Sequence, residues 1–209
     1  MGKREFIVKA VKKLVFPMIF TLLLAGCAGP NIDRTQVAQA RKVIDTGAPV
    51  GTKKDYPIYD IAMPPELQQY TYDLCEEYRL SYELVLGVIH TESMFVETAD
   101  SGSSRGLMQI SRGTGGWVSR EAGITDFDPY NPRQNIAVGV WYLNYLRDYW
   151  TGLGCSDEDT FNLMLISYNR GIAGCREYVQ AHGLENEYVD KVYKFKTELE
   201  TGQWEKKDG

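Results

Sequence analysis

This chain of 209 residues predicts an all-α domain on three observations. Apolar residues recur at helical spacing in several separate segments, the segments open on capping residues, and long alternating apolar–polar runs are missing. The one region without helical periodicity, around residues 98–120, is rich in Gly and Ser and reads as a small hairpin or irregular loop. With 44% hydrophobic residues the chain has enough apolar material for one sizeable core. No repeat of 20–50 residues and no low-complexity block interrupts it.

The elements follow in order. Residues 63–200 form the predicted domain, opened by Met63-Pro64-Pro65-Glu66, where proline suits a first helical turn. Leu67, Tyr70, Leu74 and Tyr78 then share one face. Ser81 is the expected N-cap of a second helix, in which Val85, Val88 and Ile89 make an apolar stripe and Glu92 falls next along it. A loop from Thr98 to Arg105 leads to Gly106-Leu107-Met108-Gln109-Ile110 and a Gly-rich stretch holding Trp117, the tryptophan expected to be most exposed. The turn cluster Asp126 to Pro132 precedes a helix over about 133–150, with Ile136, Val140, Leu143 and Leu146 inward. Ser156 and Asp159 resemble a capping box for a helix that ends at Tyr168-Asn169 and is stopped by Gly171. Two more helical stretches follow, over about 172–181 and 185–199, and residues 201–209 are expected to fray.

Residues 1–26 read as an export leader. Lys3, Arg4, Lys9, Lys12 and Lys13 make a basic start, and Val15 to Leu24 is an apolar run too short to span a bilayer comfortably. Leu24-Ala25-Gly26-Cys27 resembles the lipobox of bacterial lipoproteins, which implies Cys27 as a lipidated mature N-terminus and an extracytoplasmic, membrane-anchored location. A plain secretory signal and an uncleaved anchor helix are the alternatives. Residues 27–62 are polar, punctuated by Gly and Pro, and read as a tether, with a short helix possible over 34–45. The leader's five basic residues and one acidic residue (Glu5) come off totals of 23 and 28, leaving 18 against 27, a net charge of −9. That balance argues against nucleic acid as a partner and against docking on anionic lipid by charge. Cys155 and Cys175 flank one predicted helix and are candidates to pair, with Cys75 as a core residue. With no CxxC and only His90 and His182 as histidines, no metal site is expected, and no cofactor is implied.

The chemistry centres on Glu92. A carboxylate at the inner end of an apolar stripe is poorly hydrated, which raises its pKa toward that of a working general acid. Tyr168 is spaced with Phe161 and Leu165 so that its ring points inward and its hydroxyl needs a partner.

Glu92-Ser93, Gly106-Leu107-Met108-Gln109-Ile110, Asn131-Pro132 with Asn135-Ile136 and Gly139, Ser167-Tyr168-Asn169-Arg170-Gly171 and Tyr188-Val189-Asp190-Lys191-Val192 stand in one order. Together, over about residues 63–197, they resemble the catalytic domain of soluble lytic transglycosylases. The resemblance implies a lysozyme-like all-α fold and cleavage of the bond between N-acetylmuramic acid and N-acetylglucosamine in peptidoglycan, leaving a 1,6-anhydromuramyl end; a monomer is expected. It implies Glu92 as the single catalytic carboxylate, acid and then base, with Tyr168 orienting it. Gln109, Asn169, Ser93, Ser101 and Tyr188 are the implied substrate contacts, with Met108 as either a cleft wall or a core side chain. Asn131, Pro132 and Asn135 are expected to shape the fold. Two departures stand out: Phe95-Val96-Glu97-Thr98 replaces a common Asn-Pro, and the loop to Gly106 is one residue short, so Ser101, Ser103 and Ser104 compete for the substrate-facing place. The competing readings are a lysozyme-type hydrolase that uses Asp100, Asp126 or Asp128 to position water, and a non-catalytic glycan-binding module.

Overall fold

The structure, a computed structural model, describes residues 56–122 and 126–204. The expected leader, Cys27, most of the tether and the last five residues lie outside them. Six helices and one two-stranded antiparallel hairpin make up the described chain: α1 (Pro65–Tyr78), α2 (Tyr82–Ser93), β1 (Ser104–Arg105), β2 (Ile110–Ser111), α3 (Arg112–Ala122), α4 (Pro132–Gly152), α5 (Asp157–His182) and α6 (Glu187–Glu200). The all-α prediction and the small hairpin near 98–120 both hold. Packing divides the described residues into two units, 56–145 with 190–204, and 146–189.

In the larger unit α1 starts with proline in its first turn and turns Leu67, Tyr70, Leu74, Cys75 and Tyr78 inward. It ends at Arg79 in the left-handed region (φ 52°), whose N–H returns to the Cys75 and Glu76 carbonyls. The Ser81 hydroxyl accepts from Leu84 N–H at 3.2 Å and so caps α2. That helix is the core: Val85, Leu86, Val88 and Ile89 have no exposed surface. Gly87 lets α6 approach, because a β-carbon there would lie 2.6 Å from the Val192 carbonyl oxygen. Asn131 accepts from Gln134 N–H at 3.1 Å and opens α4, with Pro132 as its first residue. Ile136, Val140 and Leu143 of α4 are fully buried.

Three features differ from expectation. Residues 112–122 are the helix α3, where the run of glycines suggested a loop; Gly115 is required because a β-carbon would meet the Phe127 ring at 2.5 Å. Trp117 is accordingly half-buried, edge-on to Trp141 (5.3 Å) and Tyr145 (4.9 Å). The chain ahead of Met63 and behind Glu200 also packs. Buried Gln68 donates to the carbonyls of Tyr59 (3.0 Å) and Met63 (2.8 Å) and accepts from Tyr59 N–H, while the Trp204 indole donates to the Asp60 carbonyl at 3.1 Å.

In the second unit Ser156 caps α5 through Asp159 N–H at 3.2 Å. Gly171, at φ 70° and ψ 164°, breaks α5 into two helical runs at the residue expected to stop it. Trp150 donates to the Ser167 hydroxyl at 2.9 Å inside the packing. Cys75, Cys155 and Cys175 are free thiols, so the pairing of Cys155 with Cys175 does not form. Cys75 is the core residue expected, 1% exposed.

Candidate active site

Glu92 occupies the last turn of α2, half-buried, one residue before the helix ends at Ser93. Residues two apart in a helix are rotated about 200°, so His90 lies on the opposite face. There it stacks on Phe195 (4.0 Å, 10°) and meets Trp204 edge-on (5.3 Å). Burial lowers the His90 pKa from 6.5, opposed by the Glu198 charge. This aromatic cluster anchors the helix from behind.

The backbone then turns through two consecutive left-handed residues, Met94 (φ 51°) and Phe95 (φ 65°). Such residues without glycine cost about 1 kcal/mol or more each. Two contacts hold them in place. Met94 N–H returns to the His90 carbonyl at 2.9 Å, and the Phe95 ring is buried against His90 and Phe195. Met94 itself is 70% exposed. Ser93 is buried, and its hydroxyl donates to the Ile89 carbonyl at 3.1 Å within the helix.

The loop back to the hairpin is tied at both ends. Gly106 N–H donates to the Ala99 carbonyl at 2.8 Å, and the Gln109 amide nitrogen donates to the Ala99 (3.1 Å) and Gly106 (3.0 Å) carbonyls. Gln109, at φ 46°, therefore presents its carbonyl oxygen, not its NH₂, as the free polar group. Ser101 is exposed; its hydroxyl meets Ser104 N–H at 3.2 Å and Ser103 Oγ at 3.5 Å, so the loop's serines cap one another. Asp100 accepts from Gly102 N–H (2.7 Å), Tyr130 OH (2.7 Å) and Arg105 Nε (3.1 Å). Those bonds, Tyr130 first, hold its carboxyl below the usual range. Asp128 accepts from Tyr130 N–H at 2.9 Å in a local turn.

Met108 is fully buried, so it is a core side chain and the cleft-wall alternative fails. Its thioether fills the space over Gly139, where any β-carbon would collide with it. Asn135 has the fold-shaping role expected. Wholly buried on α4, it accepts from Met108 N–H at 2.8 Å and donates to the Arg105 and Pro129 carbonyls at 2.9 Å each. One amide thus joins the hairpin, the turn before α4 and α4 itself.

Glu92, Ser93, Ser101, Met108 and Gln109 all lie in the larger unit. Tyr168, Asn169 and Tyr188 lie in the second, the first half-buried on α5, the next exposed beside it, and Tyr188 half-buried at the start of α6, its N–H on Asn186 Oδ1 at 3.0 Å. Sequence reasoning missed the Asp100–Tyr130 bond, which joins residues 30 positions apart with no spacing signal. It also passed over Arg105, Arg112 and Arg120, whose recurrence at seven and eight residues was visible.

A helix with a half-buried glutamate in its last turn is followed by a tied loop and a minimal hairpin, and comparison shows the class to which this arrangement belongs. Residues 70–190 match the family model described as the transglycosylase SLT domain, and the chain belongs to that family. Over 135 residues it is 30% identical to the membrane-bound lytic murein transglycosylase C of Histophilus somni strain 2336, and equally to that of strain 129Pt. Each match covers 58% of this chain and 37% of the relative, so the chain spans well under half the relatives' length. Its fold is similar to that of an inactive mutant of the lytic transglycosylase Slt from Pseudomonas aeruginosa, with a TM-score of 0.57 and 21% identity over 83% of this chain and 31% of that one.

Proposed function

We propose that the protein is a peptidoglycan lytic transglycosylase, anchored in the cell envelope through Cys27, with Glu92 as its acid and base. The supporting observation is the placement of Glu92 in the last turn of α2, half-buried behind fully buried Val88 and Ile89, in a chain of the SLT family. Protonated Glu92 gives its proton to the glycosidic oxygen as the bond from muramic C1 breaks. The resulting carboxylate takes the proton from the muramic C6 hydroxyl, whose oxygen bonds to C1. One bond breaks, one forms, and no water is consumed. The internal hydroxyl supplies proximity in place of a second carboxylate. Tyr168 keeps the supporting role that the resemblance gives it. The hydrolytic alternative needs a free second carboxylate, and Asp100 is committed to Tyr130, Arg105 and Gly102.

The test is mass spectrometry of purified peptidoglycan digested by the protein and by Glu92→Gln. Products lighter by one water (about 18 Da) than hydrolysed muropeptides, lost in the variant, are expected; a single acid–base group removed costs at least about 10²-fold. Fully hydrated reducing ends would replace this reading with hydrolysis. No cleavage of any wall type would leave a binding module.

A further inference from the structure

The hairpin, α3 and the turn at Phe127 and Pro129 enclose a pocket of about 360 Å³. Arg105, Arg112 and Arg120 line it, and no carboxylate does, in a chain of net charge −5. Arg105 is paired through Nε with Asp100, but Arg112 and Arg120 have no carboxylate partner among the described residues. The Arg120 guanidinium reaches back across Gly116, with Nη1 3.7 Å from where a β-carbon of that residue would stand. Ser111 is not free to bind, since its hydroxyl caps α3 through Thr114 N–H at 3.1 Å and donates to Thr114 Oγ1 at 3.0 Å. Ser119 is different. It is 6% exposed, it lines the same pocket, and its buried hydroxyl has no hydrogen-bond partner among the described residues. A buried hydroxyl left unpaired is disfavoured, and this one stands in the wall of a pocket that three arginines also line.

We propose that this pocket is an oxyanion site for a free carboxylate of a peptidoglycan stem peptide, an assignment that rests on the function proposed above. Guanidinium groups match a carboxylate's geometry, and the positive end of α3, which begins at Arg112, favours negative charge on the same side. The site selects strands that still carry peptide. Phosphate shares the required chemistry, so the test separates the two sources.

Calorimetric titrations use the full chain in detergent with a synthetic stem tetrapeptide, the same peptide with every carboxyl amidated, and inorganic phosphate. The free-acid peptide binds, the amidated peptide does not, and Arg112→Gln with Arg120→Gln weakens binding at least about tenfold. In digests, the double variant lowers the preference for peptide-bearing over peptide-stripped glycan by a similar factor. Equal binding of the amidated peptide, phosphate binding without peptide binding, or unchanged affinity in the folded double variant would each overturn the proposal. Failure of the transglycosylase reading would appear separately, as absence of anhydro products from both substrates.

Discussion

Single residues carry unequal weight, and Asn135 carries the most outside the candidate chemistry. Its three side-chain hydrogen bonds reach backbone groups of other segments, at 2.8–2.9 Å, in a site with no exposure. Asn135→Ala leaves one N–H and two carbonyls to find new partners, and should lower unfolding free energy by about 2–4 kcal/mol in denaturant titration. A loss under about 0.5 kcal/mol would show that water replaces the amide. His90 sets a pH dependence. Its folded pKa lies below the 6.5 of the free side chain, so the unfolded chain takes up the proton first. The stability associated with neutral His90 is complete above pH 6.5 and is lost as pH falls through that value toward the folded pKa. Wild-type Tm should therefore decline more steeply between pH 7 and 5 than that of His90→Phe, which keeps a ring against Phe195 without the charge. Parallel curves would remove His90 as the cause.

At the scale of elements, the hairpin depends on one glycine more than another. Gly106 and Gly102 both have positive φ, at 77° and 85°, but a β-carbon at Gly106 would collide with the Pro129 carbonyl and the Asn135 amide, while Gly102 faces open space. Gly102→Ala should cost about 1 kcal/mol, the left-handed penalty alone, and Gly106→Ala about 3 kcal/mol or more, because backbone must move as well. Equal losses in urea unfolding would mean that the Gly106 contact relaxes freely. The same contrast explains what the sequence made legible. The periodic helices α1, α2 and α4 and the caps Ser81 and Ser156 could be read because helical spacing and capping are local. The break of α5 at Gly171 could be read for the same reason. Helix α3 could not, since Gly113, Gly115 and Gly116 argue locally for a loop and only the Phe127 ring, brought in by the fold, gives Gly115 its reason. Glu92 was legible as the end of an apolar stripe. That Met108 is core, that Gln109 spends its NH₂ on Ala99 and Gly106, and that Asp100 binds Tyr130 all depend on long-range packing.

For the molecule as a whole, the question is what holds an acidic chain at its substrate. Among the described residues no helix is long and apolar enough to cross a membrane. If residues 1–26 are removed as proposed, 18 basic residues face 27 acidic ones, a net charge of −9, so an anionic surface repels the chain. On the proposed reading, attachment falls to acyl chains. One chain gives only marginal binding, and two signals are needed for a stable anchor, at about 0.8 kcal/mol per buried CH₂. A diacylglyceryl group on Cys27 supplies both chains at one residue. The prediction is that the protein extracted from envelopes has the mass of residues 27–209 plus a diacylglyceryl group or more, and incorporates labelled fatty acid. Cys27→Ser should abolish both the added mass and the label. Incorporation that survives the substitution would place the lipid elsewhere. A wild-type mass equal to the unmodified polypeptide from residue 27 or later would make the leader an ordinary secretory signal, and a full-length mass would make it an anchor. In either case the domain would have to reach glycan without the acyl tether proposed for it.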